Sequence, residues 1–128
     1  MRLELQILAW AVLLTFVQAL IAAQGAMMQV GLAALAGNRE GLPEIKGWAG
    51  RAARAHRNML ENLVLFAALV LIATYAGRSH PQMLLGAKIF LWARVAYAIV
   101  YVLGIPWLRT ATWVVSVVGM GMIFVRLF

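Results

Sequence analysis

The sequence contains no cysteine and no aspartate, and it has few charged residues of either sign. Of its 128 residues, 12% are charged and 65% are hydrophobic. Average globular domains are about 25% charged and about 45–50% apolar. So few charges cannot cover the water-facing surface of a soluble protein, and so apolar a chain does not remain disordered. The composition therefore excludes a soluble globular domain and a disordered chain.

The absence of cysteine has a chemical consequence as well. It excludes disulfide bonds, thiolate metal sites and a nucleophilic thiol within the chain. Any thiol chemistry here would have to come from a bound molecule. The only histidines, His56 and His80, are predicted to lie near opposite membrane faces, so neither a metal cluster nor a pair of haem ligands is expected.

Long apolar runs account for the hydrophobic composition. A membrane-spanning helix needs ~20 apolar residues, so the chain holds about four spans in one domain, residues 1–128. The runs are continuous rather than alternating, which excludes a transmembrane β-barrel. The sequence predicts an all-α membrane protein, a four-transmembrane-helix bundle. The four predicted spans lie in these segments: an uncharged stretch from Leu5 to Asn38, a helix that begins at Arg51, a third helix from Pro81 to Leu103 and a fourth from Leu108 to Phe128.

Arginine and lysine dominate the charge, which is +7 in total. In a membrane protein this excess indicates topology and contact with anionic headgroups, not nucleic acid. The cations concentrate in the loop between the first two spans, at the start of the second span, and at Arg109 between the third and fourth. We expect these two loops to be cytoplasmic.

Polar residues recur on one face of the second span. At ~100° per residue, Arg51, Arg54, Arg57, Asn58 and Glu61 fall within roughly a third of the helix circumference. Glu61 precedes an apolar run, and a charge at that boundary needs a partner. A structural polar cluster that holds helices together explains the same pattern.

The third span carries a second polar stripe. Arg94, Tyr97 and Tyr101 share one face at ~3.6 residues per turn, and Arg109 follows on the same side of the membrane. An arginine as deep as Arg94 must face a bundle interior, a water-filled cavity or another chain. The simplest ligand for such a pocket is a small anion with more than one carboxylate. The alternatives are interfacial aromatics for the tyrosines and a topological role for Arg109.

Two segments carry a resemblance to a known family. The sequence RAHRNMLE at residues 54–61, followed by an apolar helix, resembles the signature of the MAPEG family, the membrane-associated proteins in eicosanoid and glutathione metabolism. The stretches ARVAYAIVY at 93–101 and GIPWLRT at 104–110 resemble the third helix, the loop and the fourth-helix start of the same family. The resemblance covers most of the chain.

The resemblance implies a left-handed four-helix bundle that assembles as a homotrimer, in this case in a bacterial inner membrane. Glutathione would lie between neighbouring subunits at the cytoplasmic side, and a lipophilic electrophile would arrive from the bilayer. Arg109 would act in catalysis by stabilising the thiolate, because a neighbouring cation favours the charged form of a thiol. The residues that would bind glutathione are Arg54, Arg57, Asn58, Glu61, Arg94, Tyr97 and Tyr101.

The sequence leaves three functions open. The first is a glutathione transferase or peroxidase that acts on hydrophobic substrates. The second is a non-catalytic membrane subunit or scaffold, since family enzymes commonly carry an Arg near the end of helix one where this chain has only the uncharged segment 24–31. The third is a small transporter, which is disfavoured because Glu61 is surrounded by Arg rather than standing alone as a cation site.

Overall fold

The computed structural model describes residues 1–128 and contains helices but no strand. Four of the helices are long and apolar enough to cross a membrane. The chain is therefore an integral, multi-pass membrane protein, and the predicted fold class is confirmed. The helices are α1 (Leu3–Val30), α2 (Leu32–Ala36), α3 (Gly47–Tyr75), α4 (Pro81–Leu103) and α5 (Pro106–Phe124).

The bounds of α4 agree with the prediction, whereas the other bounds differ. The first span ends at Val30 because Gly31 adopts a φ of 85°, and the short α2 follows it. The helix predicted from Arg51 begins earlier, at Gly47. The last helix begins at Pro106, which occupies the first turn, where a missing N–H costs nothing.

Small residues allow the closest helix contacts. On α4 and α5, Gly86 and Gly119 face each other, and a Cβ on Gly119 would lie 2.6 Å from the Gly86 carbonyl oxygen. Between α3 and α4, the rings of Phe66 and Phe90 stack with centroids 4.0 Å apart. Both phenylalanines are fully buried, and they belong to one core to which α1, α3, α4 and α5 all contribute.

Polar contacts fasten both ends of α1. At its start, Arg2 pairs with Glu4 at 3.1 Å and donates hydrogen bonds to the carbonyl oxygens of Ala73 and Arg78, near the end of α3. At its other end, Gln29 bonds to the backbone of Lys46, just before α3 begins. These contacts hold α1 alongside α3, and α1 does not cover the polar face of α3.

Candidate functional site

A polar cavity opens between the first half of α3 and the second half of α4. It has two adjoining parts, and the larger part measures ≈ 370 Å³. The position of the cavity follows from the sequence of α3. Its alanine-rich start favours helix, so α3 begins before its apolar span and carries polar side chains there. The larger part is lined by Arg54, Arg57, Asn58, Glu61, Tyr97 and Tyr101.

The smaller part, ≈ 180 Å³, joins Arg109 to this cluster. Asn58 and Tyr97 line both parts, so the two are neighbours. The Arg109 guanidinium also stands 4.6 Å from the centre of the Tyr101 ring, within the range of a cation–π contact. The structure thus brings Arg109, at the start of α5, to the residues predicted from α3 and α4. The other residues of the smaller part are Thr110 and Trp113.

Arg94 lies behind the cavity rather than on its wall. It is 1% exposed, it donates a hydrogen bond from Nη2 to Asn58 Oδ1 at 2.9 Å, and its guanidinium lies 4.0 Å from the centre of the Tyr97 ring. Its Nε and Nη1 atoms have no hydrogen-bond partner within the chain. A buried charge whose donors lack partners costs free energy, and such residues within membrane helices are typically functional. Here it holds two cavity residues, Asn58 and Tyr97, from behind.

Asn62 is a residue that the sequence reading missed. Its Nδ2 donates to Asn58 Oδ1 at 3.2 Å and to the Asn58 carbonyl oxygen at 2.8 Å. Asn58 Oδ1 therefore accepts from Arg94 and from Asn62, and the Asn58 amide nitrogen remains free to donate elsewhere. The available signal was the spacing of the two asparagines, one turn apart on the same helix face.

The charge of the site is strongly positive. Arg54, Arg57 and Arg109 line it, Arg94 stands behind it, and Glu61 is its one carboxylate. Glu61 forms no ion pair, because the single salt bridge of the chain joins Arg2 to Glu4. Arg57 lies one turn before Glu61 on α3, but the two side chains are not bridged. The site can accept an anion with several carboxylates and also one cationic group beside Glu61.

Arg51 shares the polar face of α3 with Arg54, Arg57, Asn58 and Glu61, but its side chain makes different contacts. Its Nε donates to the Val102 carbonyl oxygen at 2.9 Å, at the end of α4. The side chain packs against Gly104, where a Cβ would lie 3.4 Å from the Arg51 Nε. Arg51 therefore satisfies a carbonyl at a helix C-terminus, where a cation is also favoured by the helix dipole. It does not line the polar cavity.

The end of α1 supplies no charge to this region, and Gln29 cannot substitute for one. Its Nε2 donates to the Lys46 carbonyl oxygen at 2.7 Å, while its Oε1 accepts from the Lys46 N–H at 3.0 Å. Both polar atoms of the side chain are thereby used for holding the loop. Gln24 is the remaining polar residue of segment 24–31.

Arg54, Arg57 and Glu61 are exposed in a single chain, so the larger part of the cavity is open on one side. Two arginines and a glutamate at membrane-helix positions are seldom left facing lipid. The open side is thus the side at which a ligand, or a further chain, would complete the site.

Comparison with known proteins identifies the family. A search of curated proteins gives no match. The sequence pattern of the MAPEG family matches residues 5–128, nearly the whole chain, which includes every residue of the polar cavity. The family is associated in general with membrane-bound glutathione transferases, peroxidases and related functions, and it generally uses glutathione. The chain belongs to the MAPEG family.

Proposed function

We propose that this protein is an integral membrane enzyme that uses glutathione to act on lipophilic electrophiles, as a transferase or a peroxidase. The observation that carries the proposal is the composition of the polar cavity. Three arginines, one unpaired glutamate, an asparagine and two tyrosines surround it, and they belong to the segments that match the family. Such a set complements a tripeptide with two carboxylates, one ammonium group and a thiol.

The residues present fit this molecule group by group. Glu61 is the one anionic partner for the γ-glutamyl ammonium group, and its carboxylate is not used by any cation of the chain. Arg54 and Arg57 suit the carboxylates, since the guanidinium fork binds a carboxylate through two parallel hydrogen bonds. Asn58 presents N–H donors because its oxygen is occupied by Arg94 and Asn62. Glutathione supplies the nucleophilic thiol that the chain itself lacks.

Arg109 has the position for stabilising the thiolate. It is half-buried at the start of α5, lines the smaller part of the cavity and stacks against Tyr101. A cation beside a thiol favours the thiolate, which is the nucleophilic form. Arg94, which lies behind the cavity-lining residues, adds to the positive electrostatic potential in the cavity. It also holds Asn58 and Tyr97 in place. We assign catalysis to Arg109 and a positioning role to Arg94. The residues to which we assign glutathione binding are Arg54, Arg57, Asn58, Glu61, Tyr97 and Tyr101.

The open side of the cavity supports a homotrimer in which a neighbouring copy covers Arg54, Arg57 and Glu61. Enclosure by protein excludes water and strengthens every charge interaction inside. In this arrangement the whole chain acts as one domain. The loops before α3 and α5 would face the cytoplasm of a bacterium, where the excess of Arg and Lys around them belongs.

A glutathione titration by calorimetry on the purified protein in detergent tests this function. Saturable binding in the millimolar range or below, together with thiolate absorbance at neutral pH, is expected. Arg57→Gln should weaken binding, whereas Arg78→Gln is the matched control: it removes the same charge from the turn at the opposite end of α3. No binding at millimolar glutathione, or equal losses in both variants, would contradict the proposal.

One observation favours a second candidate, a non-catalytic membrane subunit. Segment 24–31 of α1 has no charge, and the Gln29 side chain is used up by the Lys46 backbone. A neighbouring copy would then bring no cation to the site. The same titration distinguishes the two functions, because the subunit requires no glutathione binding while the enzyme does.

A further inference from the structure

A long groove separates α1 from α4 on a face that does not contribute to the polar cavity. It consists of an outer, a middle and an inner part, with volumes of ≈ 310 Å³, ≈ 390 Å³ and ≈ 390 Å³. The outer and middle parts share Trp10, Leu91 and Trp92, and the middle and inner parts share Val95. The three parts are therefore one continuous channel along the two helices, which we call the α1–α4 groove.

The lining of the α1–α4 groove is almost entirely apolar, and its one charged residue lies in the outer part. All seven residues of the middle part are hydrophobic, as are ten of the eleven that line the inner part. Gln6 and Lys88 are the polar residues of the outer part, and Gln18 is the polar residue of the inner part. This order, a charged end followed by a hydrocarbon surface, is the order of groups in an amphiphile.

Lys88 is a cation within a membrane-spanning helix, and it has no partner in the chain. It forms neither an ion pair nor a hydrogen bond, and its side chain is exposed at the groove. An unpaired ammonium at this depth is costly, and a long side chain reduces the cost by reaching toward the headgroups. Its natural complement is an anion that comes from the bilayer itself.

The part of the groove between Lys88 and Gln18 is as long as one leaflet. From Lys88 to Ala98, which lines the inner part together with Gln18, α4 advances about 15 Å. Half of a hydrocarbon core of ~30 Å has the same length. The groove itself continues beyond this level to Leu103, at the end of α4.

We propose that the α1–α4 groove is a binding site for an anionic diacyl phospholipid. Its phosphate lies beside Lys88 and Gln6, and one acyl chain follows the groove between Trp10 and Trp92 to the level of Gln18. The site is separate from the polar cavity, so it holds a resident lipid whether or not the protein binds glutathione.

Native mass spectrometry on the purified protein tests the site, with dioleoyl phosphatidylglycerol and dioleoyl phosphatidylcholine as probes. These lipids have the same chains and differ in headgroup charge. The wild type should retain phosphatidylglycerol with about a five-fold preference, since a cation near the membrane surface contributes ~1 kcal/mol toward an anionic lipid. Lys88→Gln should abolish the preference. Arg78→Gln removes an equal charge outside the groove, at the same end of the bundle, and should keep it.

A second variant tests the hydrocarbon part of the groove independently of charge. Val95→Phe fills the point at which the middle and inner parts meet, so retention of both lipids should fall. Equal retention of the two lipids by the wild type would overturn the proposal, as would equal losses in Lys88→Gln and Arg78→Gln. A change of oligomeric state in Val95→Phe would show that a second copy occupies the groove, and would overturn it too. A glutathione titration of each variant keeps this result distinct from the proposed enzyme function.

Discussion

Arg109 is the residue on which the proposed chemistry depends most directly. If it only set topology, Arg109→Lys would be silent, because lysine serves the positive-inside rule equally well. If instead it stabilises the thiolate from its place in the smaller part of the cavity, against the Tyr101 ring, lysine is a poor substitute because it lacks the planar fork. We expect turnover to fall about 10²–10³-fold in both Arg109→Lys and Arg109→Ala, the usual loss for one preorganised donor. Glutathione affinity should change much less.

Steady-state conjugation of a lipophilic electrophile, measured alongside glutathione binding, checks this expectation. Arg78→Gln supplies a control of equal charge far from the cavity. Wild-type turnover in Arg109→Ala would remove Arg109 from the mechanism.

Glu61 and Arg51 provide a matched comparison within one helix. Both were placed on the same polar face by sequence, but only Glu61 lines the cavity, whereas Arg51 binds the Val102 carbonyl oxygen. Glu61→Gln should weaken glutathione binding about 30-fold, because it leaves an ammonium group without its counter-charge. Arg51→Gln should change binding less than about three-fold. Calorimetric titration of both variants decides the matter, and comparable losses would contradict the assignment of Glu61.

At the scale of single elements, α4 and α5 cross in close backbone contact. A Cβ on Gly119 would lie 2.6 Å from the Gly86 carbonyl oxygen and 2.9 Å from the Phe90 nitrogen, both backbone atoms that cannot move aside. Gly119→Ala should therefore destabilise the bundle by about 1–3 kcal/mol, as overpacked cores do. Thermal unfolding in detergent measures the effect.

Gly121 is the control for this substitution. It lies on the same helix, and a Cβ there meets nothing within 4 Å. Gly121→Ala should be neutral or stabilising, because alanine is the better helix former by up to ~1 kcal/mol. Equal Tm changes in the two variants would show that the α4–α5 crossing is looser than the structure has it.

At the scale of the whole molecule, the open side of the cavity is where the proposed homotrimer places a neighbouring copy. Arg54, Arg57 and Glu61 are exposed at its surface, although they belong to a membrane-spanning helix and its immediate start. We expect native mass spectrometry in mild detergent to show a trimer. We also expect glutathione binding to disappear under detergent conditions that separate the protomers. A stable monomer that still binds glutathione with the same affinity would refute the assembly.

Much of this protein was determined by the sequence alone. Composition excluded a soluble fold, and the apolar runs predicted four spans, because hydrocarbon forces backbone hydrogen bonds to close within each helix. The range Pro81–Leu103 was correct to the residue, since proline and glycine mark its two ends. Seven polar residues now found at one cavity were identified by helical spacing and by resemblance: Arg54, Arg57, Asn58, Glu61, Tyr97, Tyr101 and Arg109.

Only the tertiary structure decided which partner each polar residue on these helix faces contacts. Spacing along α3 could not show that Arg51 turns to the end of α4, because the carbonyl it binds belongs to a residue distant in the chain. Nor could it show that Arg94 stands behind Asn58 while Asn62 shares the same oxygen. Helical periodicity gives the direction of a side chain from its own axis, whereas its partner depends on how neighbouring helices pack.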